Sequence, residues 1–154
     1  LPTFKDRDIS RMGDLGFVLL VMSTVEHGGY FTYDKEIERY IRDFDNEYPN
    51  RDTCLDTLNS MFESIVSADL DDDSMWYRKS NIFTLVVESL AAKGLPDRQK
   101  LLDFEGEINE ARQASKNNEN TPGDFGAYYH AMYTGTNSKN ARSIRGDIFR
   151  KYMY

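Results

Sequence analysis

Five cationic side chains, Lys139, Arg142, Arg145, Arg150 and Lys151, crowd the last sixteen residues of the chain against a single acid, Asp147. Ahead of them stands Gly135-Thr136-Asn137-Ser138. Thr136 or Asn137 can cap a helix there, and the unpaired N–H groups and positive dipole end of a helix start attract an anion. Lys139, Arg142 and Arg145 are spaced one helical turn apart, so they share a face on which an arginine can grip a phosphate through two N–H groups. The competing reading is an ordinary amphipathic helix with Ile144, Ile148 and Tyr152 inward. Its basic face would then pair with residues 34–73, which carry thirteen acidic and four basic side chains. A second cluster, Trp76-Tyr77-Arg78-Lys79-Ser80, interleaves aromatic rings with cations, the pattern of a surface that stacks bases and holds backbone phosphates. Against that stands the common role of tryptophan as a packing anchor at the entry of a buried helix.

Other reactive side chains form no recognisable machinery. Asp69, Asp71, Asp72 and Asp73 invite a calcium loop, but a loop begun at Asp69 places Ser74 at the sharp-turn glycine and Ser80 at the bidentate glutamate. The two histidines, His27 and His130, are more than a hundred residues apart and have no metal-ligand spacing; His27 falls at a helix end. Cys54 lies near a core stripe and reads as an inert thiol. Neither phosphate-binding glycine fingerprint is present, and close carboxylate pairs are inevitable among twenty-six acidic residues. The sequence therefore offers no catalytic residue, metal site or cofactor.

The elements that must position these groups are helical throughout. The predicted segments are Asp8 to His27, ended by Gly28-Gly29; Asp34 to Tyr48, closed by Pro49; and Arg51 to Ala68, capped by Asn50. Next come Met75 or Arg78 to Lys93, stopped by Gly94; a helix begun by Pro96-Asp97 and running to about Ser115; Asp124 to Tyr133; and Asn137 to Met153. The first and fourth are apolar on several sides and should lie in the middle of the fold. The apolar stripes of the others are Ile37, Tyr40, Ile41 and Phe44; Leu55, Leu58, Phe62 and Ile65; and Leu101, Phe104, Ile108 and Ala111. Asp69 to Ser74 and Lys116 to Gly123 read as loops. The expectation is a single all-α domain, residues 1–154, built as a compact bundle of about seven helices.

At 154 residues and 40% hydrophobic content the chain can bury a core without disulfides or a metal. Its net charge of −7 argues against a uniformly basic nucleic-acid binder, though not against a local basic patch. The longest unbroken apolar run, Phe17 to Met22, is far short of the roughly twenty residues of a membrane span. One cysteine and no basic, apolar leader point to the cytoplasm. A start at Leu1-Pro2-Thr3, without Met, suggests a piece of a longer protein.

Three stretches in order carry a resemblance to a known family. They are Arg11-Met12-Gly13-Asp14-Leu15-Gly16-Phe17-Val18-Leu19, Trp76-Tyr77-Arg78-Lys79-Ser80-Asn81-Ile82-Phe83-Thr84-Leu85, and Tyr129-His130-Ala131-Met132-Tyr133-Thr134-Gly135-Thr136 continuing through Arg142 and Arg145. Together, from Phe4 to Tyr152, the chain resembles the helical C-terminal half of the family defined by the N-terminal domain of GmrSD-type restriction proteins. Family members begin with a ParB-like domain bearing an Asp-Gly-Gln-Gln-Arg type motif, and many end with a His-Asn-His-type nuclease domain. Neither motif is in this chain. The resemblance implies a non-catalytic module of a bacterial DNA restriction or phage-defence protein, packed on the ParB-like domain. The expected DNA contacts are Thr136, Lys139, Arg142, Arg145, Arg150 and Lys151, with Trp76, Arg78 and Lys79 as the second cluster. The alternative is a protein–protein interaction or scaffold domain that never touches nucleic acid.

Overall fold

The computed structural model describes residues 1–9, 12–32, 35–117, 121 and 123–154. Among these, every regular element is helical. They are α1 (Asp6–Ile9), α2 (Gly13–His27), α3 (Lys35–Asp43), α4 (Arg51–Ser67), a 3₁₀ turn at Met75–Tyr77, α5 (Lys79–Ala92), α6 (Arg98–Lys116), α7 (Asp124–Tyr133) and α8 (Lys139–Met153). Helices α2 to α8 are the seven longer ones. The architecture is all-α, and no described helix is long and apolar enough to cross a membrane.

Local chemistry accounts for most of the boundaries. Gly28 ends α2 in the left-handed conformation at φ 73°, and its N–H closes back on Thr24 and Val25. The Asp97 side chain accepts from Gln99 N–H and starts α6, as a helix-start aspartate should. Elsewhere the caps differ from expectation. Ser138, not Thr136 or Asn137, caps α8 by accepting from Ala141 N–H at 3.1 Å. Asn50 precedes α4 without a side-chain hydrogen bond. Lys93, rather than Gly94, takes the left-handed residue at the end of α5. The first predicted helix is two: α1 stops at Ile9, residues 10 and 11 lie outside the described residues, and Met12 at φ 55° turns the chain into α2. The predicted start at Asp34, and residues 118–120 and 122 of the loop before α7, also lie outside them. Helix α3 ends at Asp43, short of the expected Tyr48.

Helix α5 is the axis of the bundle. Eight of its fourteen residues are buried, and it packs on α2, α4, α8 and the 3₁₀ turn. Helix α2 is less central than its composition suggests, because Leu15 and Val25 stay exposed. Trp76 is wholly buried, its ring against Phe104 and Phe149 and its Nε1–H donating to Leu101 O at 3.0 Å. On α6 the stripe Leu101, Phe104 and Ile108 is buried as expected. On α4 the inward face is Leu58, Met61 and Ile65, so Leu55 is left exposed.

The α5–α8 contact is polar at its centre. Glu88, 2% exposed, accepts from Tyr30 Oη at 2.5 Å and from Arg150 Nη1 at 2.6 Å. Burial, followed by the Glu88 charge, pushes the Tyr30 phenol far above its ordinary range, so it remains a neutral donor. Gly146 of α8 lies over this pair. A methyl group there would overlap Glu88 Oε1 and come within 2.5 Å of Tyr30 Cε2. At the far end of α8, Lys151 Nζ donates to Asp124 Oδ2 at 2.6 Å and ties α8 to the start of α7.

Two outcomes follow from this packing. Alanine at a helical glycine ordinarily adds about 1 kcal/mol of stability, and Gly106→Ala on α6, where a Cβ meets no atom within 4 Å, is expected to do so in urea unfolding. Gly146→Ala is expected to lose about 1–3 kcal/mol instead, because overpacking outweighs propensity. The Lys151 hydrogen bond holds the Asp124 carboxyl below its ordinary 3.8. A lowered carboxyl pKa contributes stability above the unfolded value and loses it as pH falls through the folded one. The Tm difference between the native chain and Asp124→Asn should therefore be present near neutrality and vanish on acidification, as a pH series of thermal melts will measure.

Candidate anion-binding cleft

Helices α2, α5 and α8 start at one place, around a cleft of about 510 Å³. From the first turns of α2 it takes Gly13, Gly16, Phe17 and Leu20, preceded by Met12. From the start of α5 it takes Lys79, Ser80 and Phe83, and from the approach to α8 and its first turns Thr136, Asn137, Arg142 and Arg145. Neither Met12, before α2, nor Arg78, before α5, makes a side-chain cap. Three positive dipole ends and three cations meet here, and no described carboxylate lines the cleft. Asp14, in the first turn of α2, is not part of the lining.

The two arginines are interior groups, which corrects the expectation of a solvent-facing phosphate grip. Arg142 and Arg145 are each 1% exposed. Arg142 Nη1 donates to Phe31 O at 2.7 Å, and its guanidinium lies 5.1 Å from the Phe83 ring centroid. Arg145 donates through Nε to Thr84 Oγ1 at 3.2 Å, through Nη1 to Ala131 O at 2.6 Å and through Nη2 to Thr136 O at 3.1 Å. Ala131 lies in the last turn of α7, so the back of this guanidinium faces the negative end of a helix dipole. Thr84 gives its own hydroxyl proton to Ser80 O at 3.1 Å, which leaves its oxygen to accept from Arg145. Burial lowers the Arg145 pKa from its ordinary value. The inward face of α8 is accordingly Ala141, Arg142, Arg145, Ile148, Phe149 and Met153, while Tyr152, expected inward, is on the exposed side.

The remaining expected contacts divide by position. Lys79 and Lys139 are exposed, the first on the rim of the cleft and the second just beyond the Ser138 cap, where its N–H donates to Thr32 Oγ1. Thr136 lines the cleft and holds Arg145 through its carbonyl. Arg78 is exposed but turned to a neighbouring cleft, its guanidinium 4.1 Å from the Tyr133 ring centroid. Trp76 is core and presents no ring for a base. Arg150 and Lys151 lie two turns further along α8, paired with Glu88 and Asp147 and with Asp124, so their partners are not in residues 34–73. Asp69 to Asp73 form the expected loop, and no three His, Cys, Asp or Glu side chains among the described residues are placed to hold a metal. Cys54 is half-buried.

Ser80 belongs to the second cluster, whereas Gly13, Gly16 and Phe83 line the cleft without being among the expected contacts. Their signal was their place inside the first and second resemblance stretches. Those two stretches and the third, far apart along the chain, supply most of the walls of this one cleft.

Removing the Arg145 guanidinium takes the donor from the buried Ala131 carbonyl, the half-buried Thr136 carbonyl and the Thr84 hydroxyl oxygen, which keeps only its own bond to Ser80 O. Arg145→Met is expected to cost about 3 kcal/mol in denaturant unfolding, whereas the exposed Lys139→Ala should stay within about 0.5 kcal/mol of the native chain.

No family model, curated protein or solved structure matches the chain.

Proposed function

We propose that the chain is a non-catalytic helical module of a GmrSD-like DNA restriction or defence protein, which packs on a ParB-like domain and meets DNA at the rim of this cleft. The observation that carries the reading is the convergence of the three resemblance stretches on one cationic cleft of a chain whose net charge is −7. Distribution rather than sum sets a local field, and a patch of this sign attracts phosphate whatever the remainder of the surface carries. In this reading Lys79 and Lys139 touch the backbone, with Arg78 beside them. Arg142 and Arg145 contribute charge from beneath the surface and hold the helix starts in place. Arg150 and Lys151, each already paired with an acid, add little.

The scaffold reading has one observation in its favour. Leu19 and Met22 of α2 and Tyr40, Ile41, Phe44 and Tyr48 line an apolar groove of about 310 Å³, with Ile41 exposed. Such a surface suits a protein partner.

Fluorescence anisotropy of labelled duplex DNA across a salt series separates the two. The DNA reading expects tight binding at low salt and a steep loss as salt rises, with a slope shallower by about 0.9 for each phosphate contact removed. Arg78→Glu, Lys79→Glu and Lys139→Glu combined should flatten that slope while far-ultraviolet circular dichroism stays native. Absence of binding at low salt abandons the DNA contact and leaves the apolar groove as the working surface.

A further inference from the structure

We infer that the groove between α2 and the aromatic side chains of α3 and the residues after it receives one helix of a partner protein, an amphipathic helix with an apolar seam and Lys or Arg along its flanks. The inference rests on the interaction reading of that groove, names the chemistry of its occupant, and stands whether or not DNA reaches the cationic cleft.

Both walls of the groove are apolar side chains held in register. On α2, Leu15, Leu19 and Met22 follow one another at i, i+4 and i+7 and so form one stripe. Leu19 and Met22 line the groove half-buried, and Leu15, 51% exposed, continues the stripe beyond it. On the other wall Tyr40 stacks on Phe44 with ring centroids 6.2 Å apart, and Phe44 meets Tyr48 at 4.7 Å. Ile41 lies beside them at 45% exposure. Two polar contacts tie the walls together. Tyr48 Oη donates to Glu26 Oε1 at 2.7 Å, and Tyr40 Oη lies 3.5 Å from His27 Nδ1. The groove is therefore formed before a partner arrives, which lowers the ordering cost of binding. Aromatic and methionine side chains are the types that interfaces favour. An apolar groove beside a helix is the seat of an amphipathic helix, which enters through anchors at i, i+3 or i+4, and i+7.

The rim decides which helix. Glu26 and Asp45, both exposed, are the charged residues of the lining, while the α3 cations Lys35, Arg39 and Arg42 are not part of it. Opposite charges across an interface steer encounter and fix register, and like charges suppress the wrong partner. Lysine or arginine beside the seam answers both carboxylates; glutamate there answers neither. A second copy of this chain is the wrong occupant on the same ground. An isologous contact sets Glu26 and Asp45 of one copy at the acidic rim of the other. The most basic helix of the chain, α8, has Arg142 and Arg145 turned into the core and does not offer such a face.

The probes are three dye-labelled synthetic peptides, read by fluorescence anisotropy at physiological salt. One is an amphipathic helix with a leucine seam flanked by lysines. The second keeps the seam with glutamates on its flanks, and the third is the lysine peptide scrambled to destroy the helical period. The expected result is saturable binding of the lysine-flanked helix, at least about tenfold tighter than either of the others. Ile41→Asp, at an exposed position, should weaken that binding about tenfold or more while circular dichroism stays native. Glu26→Gln combined with Asp45→Lys keeps an acceptor for Tyr48 and removes the acidic rim. It should shift the preference at least about tenfold toward the glutamate-flanked helix. Equal binding of the lysine-flanked and scrambled peptides overturns the inference, since charge alone then accounts for the contact. So do equal binding of the two seam peptides, a preference that the rim variant leaves unmoved, and absence of binding. Analytical ultracentrifugation addresses the other occupant: a dimer of the native chain that Ile41→Asp dissolves makes it a second copy, which also overturns the inference. None of the substituted residues lines the cationic cleft, so failure here and failure of the duplex-binding series are read separately.

Discussion

The fold depends on the polar seam between α5 and α8. Apolar burial supplies the bulk of the driving force in a bundle of this kind, but it is non-directional and tolerates rotation and sliding of one helix on another. The hydrogen bonds of the seam do not. Arg145 reaches Thr84 on α5, Ala131 on α7 and Thr136 in the turn before α8, so one guanidinium sets the relative position of three elements. Two turns along α5 from Ser80, Glu88 gathers Tyr30 and Arg150 onto one carboxylate. Gly146 lies between these two anchor points, where only a hydrogen in place of a side chain lets α8 come this close. A network of this kind is costly when half satisfied and specific when complete.

That seam also decides what the basic tail can do. The five cations of α8 form no common face. Arg142 and Arg145 turn inward as structural donors, Arg150 and Lys151 are committed to acids on α5, α7 and α8 itself, and Lys139 alone remains near the cleft as an exposed charge. The cations that line the cleft are the buried Arg142 and Arg145 and, from a different helix, Lys79. A chain of net charge −7 thereby gathers three cations around one cleft that no described carboxylate lines.

The aromatic residues follow a related logic. Trp76 lies in the 3₁₀ turn ahead of α5, close to Arg78 and Lys79, a context that suits stacking on bases, yet its indole closes the core against Phe104 and Phe149. Its N–H finds a carbonyl on α6, which makes complete burial affordable. Arg78 in turn stacks on Tyr133 and leaves the cleft to Lys79.

The sequence by itself determined the helical class and most of the element boundaries, because these follow from interactions within a few residues. Gly28 terminating α2, Asp97 starting α6, the α6 stripe of Leu101, Phe104 and Ile108, and the limits of α7 are all local matters of capping and period. Tertiary structure alone decided which way α8 faces. Spacing places Lys139, Arg142 and Arg145 on one side of a helix but says nothing of whether that side meets water or Thr84, Ala131 and Phe31, residues up to 111 positions away. A buried arginine is rare enough that pattern favours the surface; carbonyls and a hydroxyl brought together by packing reverse that preference. The cleft was out of reach of the sequence for the same reason, since its charge comes from three helix starts that only the folded chain brings together.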